Sequence, residues 1–250
     1  MKLALLSDVH ANLPALEACL AHAHAMGATR VALLGDLVGY GPHPAQVVER
    51  AIALAAAGSV LLRGNHDEAA QAPVGQPRTA EELSAAWTHR ELSAAQMAFI
   101  AGLPLTVAVG TTLLVHASAD EPQAWHYVDQ PALAQRCMEA AELRHGAHHV
   151  FCGHVHAQRL FYHGRVGKLM SFDPVPGVAV PLRSHRRWLA TVGSVGQPRD
   201  GDPRAMYALF DMAQEQLSFH RVPYDHRSTA AAIRAAGLPE AFALRLEQGR

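Results

Sequence analysis

Three short apolar runs, at residues 2–7, 31–34 and 60–62, each stop at a polar residue of a metal-ligating type, with a helix-length segment between one and the next. No other feature of the sequence restricts the fold as strongly. Strand, helix and strand at this spacing form a βαβ unit, whose two strands run parallel and lie side by side. The residues directly after each strand therefore collect at one edge of a sheet, where ligands bind in α/β folds. Asp8-Val9-His10 comes after the first run, Gly35-Asp36 after the second, and Gly64-Asn65-His66-Asp67 after the third. Read as extended backbone, Asp8 and His10 point the same way and offer one carboxylate oxygen and one imidazole nitrogen to a single ion. Asp36 falls beside Asp8, and two neighbouring carboxylates repel unless a divalent cation lies between them. An Asn carbonyl oxygen followed by a titratable His suits metal-assisted hydrolysis.

The remaining elements are read from local patterns. Asn12 caps a first helix, with Pro14 in its opening turn and Leu13, Leu16 and Leu20 on one face. A second helix is expected over residues 44–57, and a loop over 71–76. Thr79 with Glu82, and Ser93 with Gln96, form capping boxes that start two short helices. Residues 105–109 and 112–115 read as a hairpin around Gly110-Thr111 that delivers His116. A helix over 131–144 precedes a strand at 149–152, which ends in Gly153-His154-Val155-His156, again read as extended. Strand-like segments come next at 160–162 and 165–172, joined by His163-Gly164. Residues 173–187 read as a loop over the site or at its rim. A strand at 188–192 leads into Gly193-Ser194-Val195-Gly196-Gln197-Pro198-Arg199-Asp200. Two antiparallel strands are expected at 205–211 and 216–222, then a helical tail from about residue 227 capped by Ser228. With no internal repeat or linker, the reading is one domain over residues 1–250.

Composition narrows the function. Half of the 250 residues are hydrophobic and only 17% are charged, so a sizeable core is expected. A net charge of -1 argues against a protein that coats nucleic acid or lies on a membrane. Three widely spaced cysteines (Cys19, Cys137 and Cys152) make no disulfide framework, and a cytoplasmic setting fits them. Cys152 reads as a small buried residue. The apolar run before Ser7 is too short for the core of an export signal, and the stretch 51–62 is broken by Gly58-Ser59. Of the 17 histidines, His22, His24, His185 and His226 read as surface residues. Those directly after strands carry the chemistry.

Together, Asp8-x-His10, Gly35-Asp36, Gly64-Asn65-His66-Asp67, His116 and Gly153-His154-x-His156 resemble, in order and spacing, the motifs of the calcineurin-like metallophosphoesterase superfamily. The stretch from Gly193 to Asp200 is similar to a segment of a small bacterial and archaeal phosphodiesterase-like branch. The resemblance implies an α/β fold, a four-layer α/β/β/α sandwich of two mixed β-sheets flanked by helices. It implies two divalent metal ions, the first taken by Asp8, His10, Asp36 and His156. The second would take Asp36 as a bridge, with Asn65, His116 and His154. Such oxygen and nitrogen donors suit manganese or iron, with zinc, nickel or cobalt as further candidates, and need no thiolate. The resemblance further implies that two ions, roughly 3.5–4 Å apart, would hold a hydroxide to attack phosphorus, with His66 as the catalytic residue assisting the leaving group.

The sequence also departs from part of that superfamily. Protein-phosphatase relatives carry an Asp and an Arg after the G-D motif, where this chain has Gly39 and Tyr40. His66 then lacks that orienting partner, and a phosphate clamp is missing, which turns the reading away from a protein phosphatase. Tyr40 becomes a candidate substrate wall and Arg199 a candidate source of positive charge, ahead of Arg63 and Arg159. Trp125 is an aromatic able to stack or to pack. The expected activity is hydrolysis of a small phosphodiester or a nucleotide polyphosphate such as diadenosine tetraphosphate. The alternatives are a non-catalytic metal-binding scaffold, or a phosphomonoesterase or protein phosphatase. His66 and every ligand position are filled, which weighs against a scaffold, and neither duplex nucleic acid nor a membrane is expected as a partner. The oligomeric state is not fixed by the sequence.

Overall fold

Leu3 and Leu5 leave the first strand on one side and Ala4 and Leu6 on the other, and all four are buried. A strand apolar on both faces needs a packed layer on each side. Such layers are present in the computed structural model, which describes residues 1–164 and 168–250. In chain order the first half comprises β1 (Lys2–Leu6), α1 (Leu13–Ala25), β2 (Arg30–Leu33), α2 (Pro44–Ala56), β3 (Val60–Leu61), α3 (Asn65–Gln71), α4 (Ala80–Glu91), α5 (Ala94–Ala101), β4 (Thr106–Val109) and β5 (Thr112–Val115). The second half comprises α6 (Pro131–His145), β6 (His149–Cys152), β7 (Gln158–His163), β8 (Leu169–Phe172), β9 (Ala179–Pro181), β10 (Trp188–Val192), β11 (Ala205–Asp211), β12 (Gln216–Val222), α7 (His226–Ala235) and α8 (Glu240–Gln248).

One sheet has the order β3-β2-β1-β11-β12-β9 and the other β4-β5-β6-β10-β7-β8. Both are mixed. β1, β2 and β3 run parallel, while β11 pairs antiparallel with β1. In the second sheet β5, β6 and β10 run parallel, and β4 and β7 pair antiparallel at either side of them. Leu3, Leu5 and Leu34 meet Leu114, Phe151, Leu160 and Val192 between the sheets, and Phe151 packs against Phe210 at 5.0 Å between ring centres. Ala4 and Leu6 face α1 and α2, and Val115 and Val150 face α6. The result is the expected α/β/β/α stack. Among the described residues no helix is long and apolar enough to cross a membrane.

Directly after β3 the chain enters α3, where the Asp67 carboxylate accepts the Gly64 N–H at 2.9 Å. Three local expectations change. The C-terminal helix is capped by Asp225, which accepts from the Ser228 N–H at 3.0 Å, so Ser228 lies inside the first turn of α7. The expected loop 173–187 contains β9, which pairs with β12 and closes the edge of the first sheet. Of the strand expected at 165–172, Leu169–Phe172 is present as β8, and residues 165–167 lie outside the described residues.

Helix α1 is anchored to the first sheet by polar contacts as well as apolar ones. His22 Nδ1 lies 2.7 Å from the Tyr207 hydroxyl, and His220 stacks on the Tyr207 ring at 4.8 Å. His220 Nε2 is 2.9 Å from the Ser218 hydroxyl. Burial, then the neighbouring His22, pushes His220 down to about 4. An unfolded chain takes up this proton near pH 6.5 and the folded chain refuses it, so the contribution of His220 is complete above pH 6.5 and is lost as pH falls towards 4. Urea denaturation of wild type and His220→Gln at pH 7 and pH 5 should show a shallower loss of stability in the variant.

Candidate metal centre

The ends of β1, β2 and β3 and those of β5, β6 and β10 open onto one rim of the sandwich. Parallel pairing continues past the strand ends. The Asp8 N–H donates to Gly35 O at 3.1 Å, His10 N–H to Asp36 O at 3.0 Å, and Ala11 N–H to Leu37 O at 2.9 Å. The backbone there is not extended. Asp8, His10, Asp36, His154 and His156 have φ of 54°, 48°, 52°, 64° and 60°, a left-handed geometry costing roughly 1–2 kcal/mol per residue. This corrects the extended reading of both D-x-H and H-x-H. The curled backbone brings Asp8 and His10 together with His156, while His154 turns away to join Asp36 and His116. In each trio the ligand-type atoms lie within 4.8 Å of one another, and all six side chains are buried.

Backbone carbonyls set the imidazole tautomers. A carbonyl oxygen only accepts, so each ring nitrogen facing one must carry the hydrogen. His10 Nδ1 donates to Val38 O at 3.2 Å, His116 Nδ1 to Leu34 O at 2.8 Å, and His156 Nδ1 to Gln197 O at 2.7 Å. In the neutral rings of His10 and His156, Nε2 is then a bare lone pair aimed inwards, and His116 Nε2 also points inwards. His10 Nε2 and His156 Nε2 face each other at 3.0 Å, with Asp8 Oδ1 at 3.2 Å from the latter. His116 Nε2 lies 3.1 Å from Asn65 Oδ1 and 3.3 Å from Asp36 Oδ2. Asp36 Oδ2 also lies 3.8 Å from His10 Nε2, so this one oxygen faces both trios. Lone pairs converging at such distances in a buried site need positive charge among them.

The carboxylates show the same asymmetry. Asp8 Oδ2 accepts the His154 N–H at 3.0 Å and Asp36 Oδ1 accepts the His66 N–H at 2.8 Å. Their other oxygens, Asp8 Oδ1 and Asp36 Oδ2, are buried without a hydrogen-bond partner among the described residues, as is His154 Nε2. Orphaned buried acceptors are rare in folded proteins, and three at one point mark a ligand's place. The residues therefore fit a pair of divalent cations. Close approach of backbone to carboxylate also explains two motif glycines. A Cβ on Gly64 would fall 2.2 Å from Asp36 Oδ1, and one on Gly153 within 2.4 Å of Asp8 Oδ2.

Electrostatics sharpen the contrast between the groups. Burial works to raise Asp8 and Asp36, yet the facing histidines, His156 and His116 foremost, hold both carboxyls below the ordinary range. Burial opposes charge on His116, but Asp36 beside it pushes the ring up to about 9. Burial brings His154 down to about 4 and keeps His10 and His66 below the usual imidazole value. Asp67, fully buried beside Asp36, is raised to about 7.

Asn65 and His66 open into a cavity of about 430 Å³ that is also lined by Tyr40, Tyr127, Arg199 and Arg245. The His66 ring packs on Tyr40 at 4.4 Å, with Gly39 directly behind it. Burial holds the Tyr40 phenol up at about 12 despite nearby Arg199, so it stays neutral. Arg63 and Arg159 do not reach this cavity; they bind Ala101 O and the Asp173 carboxylate. Trp125 packs edge-on against His116. Residues 173–187 do not line the cavity either. A larger cavity of about 480 Å³, beside Glu142, His148 and His163, contains none of the candidate ligands.

Sequence reasoning passed over three residues here. Asp67 ties the strand end to the preceding loop by accepting N–H groups of Gly64 and Val38, and its spacing from Gly64 is the signal for it. Tyr127 stacks on His154 at 4.1 Å, and Arg245 arrives from α8; neither has a local signature.

Comparisons with known proteins agree with this geometry. The profile of the calcineurin-like phosphoesterase superfamily domain matches residues 1–215. The crystal structure of a metallophosphoesterase from Sphaerobacter thermophilus superposes with a TM-score of 0.87 at 34% identity, covering 100% of this chain and 99% of that one. A hypothetical protein from Pyrococcus horikoshii OT3 shares the fold with a TM-score of 0.78 at 19% identity, over 100% and 98% of the two chains. In sequence, an uncharacterized protein of Methanocaldococcus jannaschii is 29% identical over 254 residues, 99% of this chain and 98% of that one.

Adding one methyl group at Gly64 or Gly153 should cost about 1–3 kcal/mol in urea denaturation, through overpacking against the carboxylates. Gly75, where an added Cβ meets nothing within 4 Å, is the control, and Gly75→Ala should stay within about 0.5 kcal/mol of wild type.

Proposed function

Given that this chain belongs to the calcineurin-like phosphoesterase superfamily, we propose that it is a two-metal hydrolase of small phosphodiesters or nucleotide polyphosphates, working as one domain of residues 1–250. One observation carries the reading. Asp8 Oδ1, Asp36 Oδ2 and His154 Nε2 are buried without hydrogen-bond partners among the described residues, close to the cavity that Asn65 and His66 line. Divalent cations bound there supply Lewis acidity at phosphorus and make water a nucleophile near neutral pH.

The chain's own residues do the rest. Asp8, His10 and His156 would hold the first ion, and Asn65, His116 and His154 the second, with Asp36 facing both groups. The all-oxygen-and-nitrogen donor set favours manganese or iron. The backbone carbonyls of Val38, Leu34 and Gln197 keep His10, His116 and His156 in the tautomer that presents Nε2. His66, on the wall of the cavity, donates a hydrogen bond to the leaving oxygen; burial lowers its proton affinity, so the ring does this as neutral imidazole. Tyr40 walls the substrate and Arg199 offers it positive charge. Three free, buried cysteines fit a cytoplasmic setting.

The test is hydrolysis of bis-p-nitrophenyl phosphate by chelator-stripped protein, with and without Mn²⁺. Activity should return only with the metal. Silence with metal bound would favour a narrow-specificity enzyme or the non-catalytic scaffold instead. His66→Asn should lower kcat by about 10²–10⁴-fold while metal content stays at the wild-type level. Turnover near wild type in that variant would remove His66 from the reaction. Asp36→Asn, by weakening the shared ligand, should lower the metal content measured by mass spectrometry as well as activity.

A further inference from the structure

The cavity beside the candidate metal centre carries positive charge that the centre does not use. Arg199 lies beyond the end of β10 and Arg245 on α8, and their Cζ atoms are 5.8 and 5.9 Å from the centre of the Tyr40 ring. Tyr40 in turn stands 4.6 Å from the His10 ring and 4.4 Å from His66. Two guanidinium groups thus sit one aromatic ring away from the candidate centre, on the lining of the same cavity.

Among the described residues Arg199 has no carboxylate partner, and Arg245 has only a loose pair with Glu81. Arg199 donates to the uncharged Gln197 Oε1 at 2.8 Å. Arg245 Nη1 is buried with no hydrogen-bond acceptor, and the Glu81 carboxylate stands off at 3.9 Å. Glu82, also on the lining, uses its carboxylate to accept the N–H groups of Arg78 and Thr79. Arg234, on the neighbouring α7, shows the contrast, for it is saturated by Glu240 and Glu247. Arg245 is not on a loose tail. Phe242 packs on Tyr40 at 4.8 Å, and Ile233, Leu238 and Leu246 complete the buried cluster that seats α8. A planar guanidinium with unused donors, held by a packed helix, is suited to phosphate oxygens.

We propose that Arg245, together with Arg199, binds a second phosphate of the substrate beyond the one that is cleaved, and so selects linear polyphosphate esters over simple diesters. This assignment rests on the phosphoesterase reading above. A substrate with one phosphate leaves the pair without a ligand, whereas a polyphosphate chain reaches from the candidate centre along Tyr40 to both side chains. Arg245 lies beyond residues 1–215, so the selecting group belongs to a part of the chain outside the matched family domain.

The experiment compares diadenosine tetraphosphate with bis-p-nitrophenyl phosphate as substrates for the Mn²⁺-loaded full chain. In Arg245→Gln the ratio of kcat/KM for the first to that for the second should fall at least about tenfold, mainly through KM, and Arg245→Lys should recover part of it. An unchanged ratio, or equal losses on both substrates, would overturn the proposal and leave Arg245 a packing residue. If wild type turns over neither ester, calorimetric titration of tripolyphosphate into the chelator-stripped protein decides. Binding at least about fivefold weaker in Arg245→Gln would keep the anion site while the phosphoesterase reading fails; equal binding, or none to wild type, would overturn both.

Discussion

Inward-facing lone pairs are the constraint on which this structure depends. Three histidines are locked by backbone carbonyls so that each ring turns Nε2 inwards, and two aspartates are each anchored through a single oxygen. What remains includes Asp8 Oδ1, Asp36 Oδ2 and His154 Nε2, buried with no hydrogen-bond partner among the described residues. In water such groups would be solvated separately; within a fold they repel. Divalent cations placed there would convert that repulsion into binding, because the same lone pairs would become ligands. The centre is thus built in advance by hydrogen bonds one step removed from it, and those bonds also fix which atom each side chain presents.

Holding that arrangement takes both sheets. Asp8, His10, Asp36 and Asn65 leave one sheet, while His116, His154 and His156 leave the other. The segment after β10 joins them: the Val195 and Gly196 N–H groups donate to Ser7 O and Asp8 O, and the Ser194 hydroxyl also donates to Asp8 O. Gln197 O then orients His156. Left-handed backbone at five of the candidate ligands is unfavourable locally, and it persists because the apolar layer between the sheets fixes the strand ends that bracket it.

The cavity beside the centre has a different origin. Its walls come from Tyr40, from α3 and α4, and from α8 near the end of the chain. The metal-binding geometry depends on strand ends and their hydrogen bonds, whereas the cavity depends on how a helical hairpin packs against Tyr40. The two can vary separately.

Much of this was legible in the sequence, and the physical reason is locality. Apolar runs ending in Asp8, Asp36 and Asn65 identify strands and their ends, because period and punctuation act over a few residues. Parallel βαβ pairing then places Asp36 beside Asp8, as the Leu6–Leu33 register bears out. The capping boxes at Thr79 and Ser93 likewise name the helices they start. The sense of the backbone at D-x-H and H-x-H was not legible, since left-handed φ is imposed there by hydrogen bonds from the neighbouring strand ends. For the same reason the sequence could not say from local geometry that His154 and His156 part company. Tyr127 and Arg245 have no local mark at all, for they enter the cavity only through the packing of distant segments. The sequence by itself determined the layers of the sandwich and the kinds of atoms gathered at its rim. Only the tertiary structure decided which lone pairs converge and which cations face the cavity, because both depend on contacts between segments far apart in the chain.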